Sequence, residues 1–324
     1  MKIGLIDVDG SSKFPNLPLM KFSAWHKKQG DTVEWYDPMF GDHYGKVYMS
    51  KVFSFTPDYE YFIDSDEIVR GGSGYCIDLD ENGKEIYHIE RDHQLPDEIE
   101  HIYPDYSIYG ITDTAYGFMT RGCPRGCDFC IVGKKEGRKA YTVAPLSEFW
   151  NGQKNIVLLD PNPIAVPDWK NNLQQLIDSK AKVDFTQGVD IRLMTQEKAE
   201  YIRNIRVKTV HFAWDRYQDK EMIVPKFKTF QEVTGWGRSK LIVYVLTNFD
   251  TTLEQDLERI YTLRELGYSP DVRIYEKYSL PKGHILIKLQ RYVNSQMIFN
   301  SIQRFEEYEN LTPEQREYVK GLNV

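Results

Sequence analysis

From residue 114 onward, short apolar runs rich in β-branched residues alternate with stretches that repeat apolar residues at helical spacing. The runs fall at 116–120, 155–160 (NIVLLD), 182–185, 207–215 (VKTVHFAWD), 240–248 (KLIVYVLTN) and 271–277 (DVRIYEK). Between them, Trp169, Leu173, Leu176 and Ile177 share one helical face, as do Leu253, Leu257, Ile260 and Leu263. Further helices are predicted over 196–205 and over 226–234 after Pro225, with a short one near 145–151. Strands that alternate with helices pair in parallel, because only a crossover of helical length returns the chain to the same end of the sheet. Six such units predict an α/β architecture, a partial (β/α)6 barrel.

A smaller alternation precedes it. Lys2–Asp7, Thr32–Tyr36, Lys46–Ser50 and Glu67–Arg70 read as strands, and 18–29 reads as a helix closed by Gly30. Together, residues 1–77 predict a short Rossmann-like parallel sheet. Residues 78–113 are acidic, carry Pro96 and Pro104, and read as a linker or strap. The barrel is expected over 114–280. The tail, 281–324, reads as helical, with Ile298, Ile302 and Phe305 in phase and a start signal at Thr312-Pro313. Charge follows the division: residues 1–113 hold 10 Lys/Arg against 22 Asp/Glu, whereas 114–324 hold 31 against 26. No apolar run reaches the roughly 18 residues of a membrane helix, and MKIGLIDVDG reads as a strand rather than a leader. With only four Cys and no leader, the thiols are expected to be reduced, in a cytoplasm.

Three of the four Cys lie within eight residues, Cys123, Cys127 and Cys130, spaced C-x3-C-x2-C. Thiolates are soft ligands for iron–sulfur clusters and zinc. A structural zinc site wants four protein ligands, and the remaining thiol, Cys76, lies far upstream. Three thiolates on a tight loop suit a 4Fe-4S cluster with one iron left open, which is how a metal site does chemistry. The loop follows the first strand of the second alternation, and β/α barrels build active sites at that end. A zinc knuckle is the competing reading, with Cys76 a buried or free thiol.

C-x3-C-x-aromatic-C after a first β/α strand resembles the radical S-adenosylmethionine (SAM) superfamily over about 114–277. The resemblance implies that Cys123, Cys127 and Cys130 hold the cluster and that its open iron chelates the amino and carboxylate groups of SAM. Reductive cleavage of SAM to a 5′-deoxyadenosyl radical would follow, with the electron supplied by a flavodoxin- or ferredoxin-like donor. It places Phe129 near the adenine, and Asp160 and Asn162 where the family's second-strand motif contacts SAM. Among polar residues at or near strand ends, Gln187, Asp190, Arg192, Asp215 and Asn248 would complete the cofactor site. For Asp160 the alternative is a turn or capping acid, and for Asp190 and Arg192 a rim ion pair. The N-terminal part resembles the cobalamin-binding domain of one branch of the family, with Ser50, Gly71 and Gly72 at its cofactor contacts. It lacks that domain's cobalt-binding histidine motif, which His43 does not fit, and its sheet is short. The competing reading is a lid or docking surface.

The basic run 133–139, with Arg121 and Arg125, suggests an anionic substrate such as a nucleotide or nucleic acid, or attraction for an acidic electron donor. The solvated loop is the plainer reading, and a net charge of −7 opposes a large nucleic-acid surface. Methyl transfer, methylthiolation and other radical modifications all stay open. The alternative function is a non-catalytic zinc or iron–sulfur module that docks a partner.

Overall fold

The computed structural model describes residues 1–10, 14–39, 41, 43–81 and 84–324. The chain is an α/β protein with two parallel sheets, one of four strands and one of six, flanked by helices. The larger sheet does not close into a barrel.

The smaller sheet runs β2-β1-β3-β4, with β1 Lys2–Asp7, β2 Thr32–Trp35, β3 Lys46–Ser50 and β4 Ile68–Gly71. All of its pairings are parallel. Side chains alternate across a strand, so β1 serves two cores. Ile3 and Leu5 pack with Leu19 of α1 (Leu17–Lys28), and Ile6 packs on the other face with Tyr44, Met49 and Ile63. Residues 78–113, expected to be a linker, carry structure of their own. They hold strands β5 (Ile77–Leu79) and β6 (Glu85–Tyr87), paired antiparallel, the short helix α2 (Asp97–Glu100) and a 3-10 turn at Tyr106–Tyr109.

The larger sheet begins at β7 (Thr114–Gly117), pairs it with β10 (Asn155–Leu158), and continues through β11 (Lys182–Phe185), β12 (Val207–Ala213) and β13 (Leu241–Thr247) to β14 (Ser269–Ile274). Spatial order follows chain order, and every pairing is parallel. Helices α4 (Trp169–Ser179), α5 (Gln196–Asn204), α6 (Lys220–Thr234) and α7 (Leu253–Glu265) make the crossovers. In the tail, α8 (Ile285–Asn294), α9 (Gln296–Ser301) and α10 (Pro313–Lys320) follow, the last starting at the predicted Thr312-Pro313 signal with a capping box to Gln315.

Two elements differ from the sequence expectation. The strand predicted at 116–120 leaves the sheet at Gly117, where a Cβ would lie 2.3 Å from the Phe149 ring. The chain then turns to form β8 (Thr120–Arg121), which pairs antiparallel with β9 (Tyr141–Thr142). Between those two strands, within the excursion that carries the three Cys, α3 (Val132–Lys135) adds one helical turn. Helix α6 starts at Lys220 rather than after Pro225. The proline sits one turn in and has no N–H to offer the Glu221 carbonyl.

An open sheet leaves two edge strands with unpaired backbone groups, and here single side chains meet both. On β7, Tyr106 Oη accepts from the Tyr116 N–H (3.0 Å) and donates to the Phe149 carbonyl (2.8 Å). On β14, Asn294 Oδ1 accepts from the Val272 N–H (2.7 Å), and the Gln290 side chain donates to the Val272 carbonyl (2.9 Å). The tail therefore covers one edge and the acidic segment the other. Arg264 of α7 fastens the tail by donating to the Phe299 carbonyl (2.7 Å) and to Tyr292 Oη (3.1 Å), with its guanidinium 3.6 Å over the Phe299 ring.

Replacing Tyr106 by Phe, or Asn294 by Leu, leaves a buried edge amide without a partner. Each is expected to cost about 1–3 kcal/mol, read as a fall in urea midpoint at unchanged slope. Unchanged midpoints would show that water supplies the same bonds.

Candidate functional site

The C-terminal ends of the larger sheet's strands bring the predicted residues to one end of the molecule. The cysteine loop leaves β8, Asp160 and Asn162 follow β10, Gln187–Arg192 follow β11, Asp215 follows β12, and Asn248 follows β13.

The loop that carries the three Cys is closed at its base by the β8–β9 pair and tied internally. Cys123 N–H donates to the Gly137 carbonyl (3.2 Å), and Cys130 N–H to the Cys127 carbonyl (3.0 Å). Gly122 turns the chain into the loop at φ +73, in the left-handed region, with the Lys139 carbonyl oxygen 2.3 Å from where a Cβ would sit. Only glycine fits there. Glu136 braces this turn. One of its oxygens accepts from Gly122 N–H (2.9 Å), and the other accepts from Arg121 (2.9 Å). Nothing in a local pattern marks Glu136 for this role, because its partners lie at the opposite end of the loop.

Asp160 is buried beneath the loop's entry. Its two oxygens accept from Met119 N–H (2.8 Å) and Thr120 Oγ1 (2.6 Å), so both of its acceptor positions toward the protein are taken by the turn that aims β8. It therefore ties the end of β10 to the entry of the loop. Burial pushes its pKa up to about 7, against the lowering pull of those hydrogen bonds. Asn162, 2 % exposed, donates through Nδ2 toward Cys123 Sγ (3.7 Å), and its buried Oδ1 has no hydrogen-bond partner among the described residues.

A carboxylate–guanidinium chain ties the loop to β11. Asp190 caps its own turn by accepting from Arg192 N–H (3.0 Å) and also pairs with Arg192 Nε (2.8 Å) and Arg125 Nε (2.5 Å). Arg192 reaches Asp219 as well (3.3 Å). Burial works to raise the Asp190 pKa, but the two guanidiniums outweigh it and hold the carboxyl below the ordinary aspartate range. Arg192, expected to clasp a cofactor carboxylate, is thus held in the rim ion pair that was its alternative, with its charge beside Cys127. Asp215 is partly buried, and burial lifts it to about 6 against the pull of Arg192 and Arg259. No side-chain hydrogen bond reaches its carboxylate among the described residues.

The remaining predicted residues are placed as follows. Gln187 is exposed on the rim. Asn248, at φ +63, donates its amide to the Tyr275 carbonyl (2.8 Å) and so shapes the β13–β14 rim. Phe129 packs edge-on against Phe249 (5.4 Å between centroids), which in turn meets Tyr275 (5.0 Å), making an aromatic wall beside Cys130. Arg259 escaped the sequence reading. Fully buried in α7, it donates to the carbonyls of Trp214 (2.5 Å) and Leu246 (2.7 Å) and pairs with Asp256 (2.5 Å), pinning the ends of β12 and β13. A cleft of about 380 Å³ bounded by Trp150, Lys154, Asn155, Lys180 and Arg206 opens at the opposite end of the sheet, where β10 and β11 begin, away from these residues.

All four Cys are free. Burial raises the Cys127 thiol, opposed by Arg192 and assisted by Asp215 and Cys123; burial also raises Cys130, with Cys127 and Cys123 adding to it. Among the described residues, no three His, Cys, Asp or Glu side chains converge as metal ligands do. Neighbouring thiolates repel, so any metal bound by them would have to supply the attraction that gathers them and displace their protons. Cys76 lies apart, its Sγ 3.5 Å from the Gly72 carbonyl, and Asp92, Lys135, Arg91 and Glu90 are its charged neighbours.

In the N-terminal sheet, Ser50 Oγ accepts from Asn16 Nδ2 (2.8 Å), and a Cβ at Gly72 would lie 2.3 Å from the Lys51 carbonyl oxygen. Gly71 is exposed with open space beside it. Both ring nitrogens of His43 are taken, by Asp64 (2.7 Å) and Asp66 (3.0 Å). Protein packing thus engages Ser50 and Gly72, and both His43 nitrogens are committed to carboxylates. No helix is long and apolar enough to cross a membrane among the described residues.

No family model matches the chain, and no curated protein matches it.

The folded protein holds the Asp160 proton up to about pH 7, well above an unfolded aspartate near 4. A raised acid pKa means that stability falls as pH rises through that window and levels off above it. Asp160→Asn keeps the acceptor and removes the titration. The stability lost between pH 5 and pH 8 is expected to shrink by roughly 1–4 kcal/mol relative to the parent, measured by urea unfolding at both pH values. Parallel pH profiles would contradict the buried, protonated carboxyl.

Proposed function

We propose that this chain is a radical SAM-type enzyme, in which Cys123, Cys127 and Cys130 hold a 4Fe-4S cluster with one iron left open to S-adenosylmethionine. The observation that carries the reading is local. Three free, partly exposed thiols share one glycine-turned loop at the carboxyl end of a parallel sheet, and beside Cys123 lies Asn162, whose buried oxygen has no donor among the described residues. The donor set is all thiolate and stops at three, since Cys76 packs elsewhere. When bound, such a cluster supplies one electron for reductive cleavage of the SAM sulfonium, giving methionine and a 5′-deoxyadenosyl radical.

The chain's own residues have definable tasks in this reading. Glu136 and Asp160 hold the two ends of the turn that presents the thiols. Asn162 offers a carbonyl oxygen to an ammonium or another donor entering beside Cys123. The Arg125–Asp190–Arg192 chain fixes a positive charge against Cys127, where it offsets the charge that develops when thiols become thiolates. Asp215, without a hydrogen-bond partner, faces the same space and suits a cationic group. Phe129, Phe249 and Tyr275 wall the site with aromatic faces that exclude water from a reactive radical. The occupied positions in the smaller sheet give no support for cobalamin, so no step is assigned to it; that sheet serves as a lid or docking surface in this account.

The test is anaerobic reconstitution with iron and sulfide, followed by dithionite and SAM. The parent is expected to bind iron with the brown absorbance of a cluster and to release 5′-deoxyadenosine. Cys127→Ala is expected to lose both together. A colourless parent, or a Cys127→Ala protein that still produces 5′-deoxyadenosine, would overturn the assignment. Arg192→Lys keeps a charge but loses the bidentate fork; it is expected to weaken cluster retention several-fold, read as the rate of iron loss to a chelator, without unfolding the chain.

A further inference from the structure

We infer that the cleft at the amino end of the larger sheet is a binding site for a nucleoside polyphosphate, with Lys154, Lys182 and Arg206 on its phosphates and Trp150 against its base. The cleft shares no residue with the cysteine site, so it stands or falls separately from the radical SAM reading.

Strand order brings the cations together. Lys154 precedes β10, Lys182 opens β11 and Arg206 precedes β12. The Lys182 N–H donates to the Lys154 carbonyl (2.9 Å), and the Val183 N–H donates to the Arg206 carbonyl (2.9 Å). Three neighbouring strands therefore each begin on a cation, with a spacing of about 4.8 Å from strand to strand. All three residues, together with Lys180, border the one cleft of about 380 Å³, whose lining contains no Asp or Glu among the described residues.

These four side chains are exposed and form no ion pair, hydrogen bond or ring contact among the described residues. Acids outnumber bases in the chain, 48 to 41, so pairing is the readier outcome. Other cations near the same end are engaged. Lys208 pairs with Asp184 (3.0 Å), and Lys240, which precedes β13, lies 4.8 Å over the Trp236 ring. Lys180 has a use within the fold, because it follows the last turn of α4, where a positive charge offsets the helix dipole. Lys154, Lys182 and Arg206 sit at strand starts, and sheets carry little net dipole to call for them. Like charges side by side repel, and an anion of several charges relieves that repulsion.

The cleft wall selects among such anions. Trp150 is partly exposed there, and its indole N–H already donates to the Gln153 carbonyl (2.8 Å), which fixes the ring. A fixed aromatic ring beside a row of cations suits a planar base joined to several phosphates. The volume falls within the roughly 300–1,000 Å³ of small-molecule sites. A nucleic acid draws instead on about 6–10 phosphate contacts, more than these cations supply.

The experiment is calorimetry on the full chain, without divalent cations, using ATP and inorganic triphosphate as probes. The parent is expected to bind ATP with an affinity that falls as salt rises, and to bind triphosphate roughly fivefold more weakly or worse, because the stacked base is missing. A Lys182→Ala, Arg206→Ala variant is expected to bind ATP roughly tenfold more weakly or worse. Its urea midpoint should match the parent's, since neither side chain contacts the rest of the protein among the described residues. ATP is expected to quench tryptophan fluorescence in the parent and to leave Trp150→Phe unquenched. A parent that does not bind ATP, or a double variant with parental affinity, would overturn the site. Triphosphate bound as tightly as ATP, or quenching retained in Trp150→Phe, would overturn the base contact and with it the nucleotide. A single-stranded oligonucleotide bound far more tightly than ATP, and released by the same double substitution, would overturn the proposal in favour of nucleic acid.

Discussion

An open parallel sheet must satisfy two raw edges, and the placement of everything else in this chain follows from how it does so. The six-stranded sheet recruits the segment before it and the tail after it, which deliver Tyr106 to one edge strand and Asn294 and Gln290 to the other. Tyr106 reaches β7 from a segment whose charge and prolines suggested a mere connector. Asn294 reaches β14 from the last turn of α8. Because β7 leads directly into β8, from which the cysteine loop departs, its anchoring by Tyr106 also fixes the approach to the site. The same segment carries Tyr109 and Ile108, which hydrogen-bond to Asp7 and Trp35 of the smaller sheet.

A second layer of constraint acts at the mouth of the sheet. Arg259 spends its guanidinium on carbonyls that close the ends of β12 and β13, a role it fills only because it is fully buried with Asp256 beside it. Asp160 does the equivalent work under the loop entry, taking two donors from Met119 and Thr120. These buried polar groups cost desolvation, and the return is geometry: the loop, the Asp190 ion chain and Asp215 are held on one side of the molecule. Two of the groups left without a hydrogen-bond partner among the described residues, Asn162 Oδ1 and the Asp215 carboxylate, lie in that same region.

Much of this was legible from the chain alone, for identifiable reasons. Alternating periodicity marked all six strands of the larger sheet, because runs such as NIVLLD and KLIVYVLTN bury both faces and leave no polar phase to confuse them. The cysteine spacing located the loop, and the Thr312-Pro313 pair located the start of α10 because capping chemistry is local. What stayed hidden depends on contacts distant in sequence. The strand read at 116–120 breaks at Gly117 because the Phe149 ring fills the adjoining space. Glu136 clasps Gly122 across the loop, and Asp219 reaches Arg192 from beyond β12. No window of local sequence contains those partners.

The central claim is a cluster gripped by three sulfurs with one iron free for an outside ligand. Mössbauer spectroscopy of the protein reconstituted with ⁵⁷Fe, recorded with and without S-adenosylmethionine, addresses it directly. The account predicts that SAM changes the isomer shift of a single iron and leaves the others as they were. A spectrum in which every iron is equivalent and indifferent to SAM would contradict it.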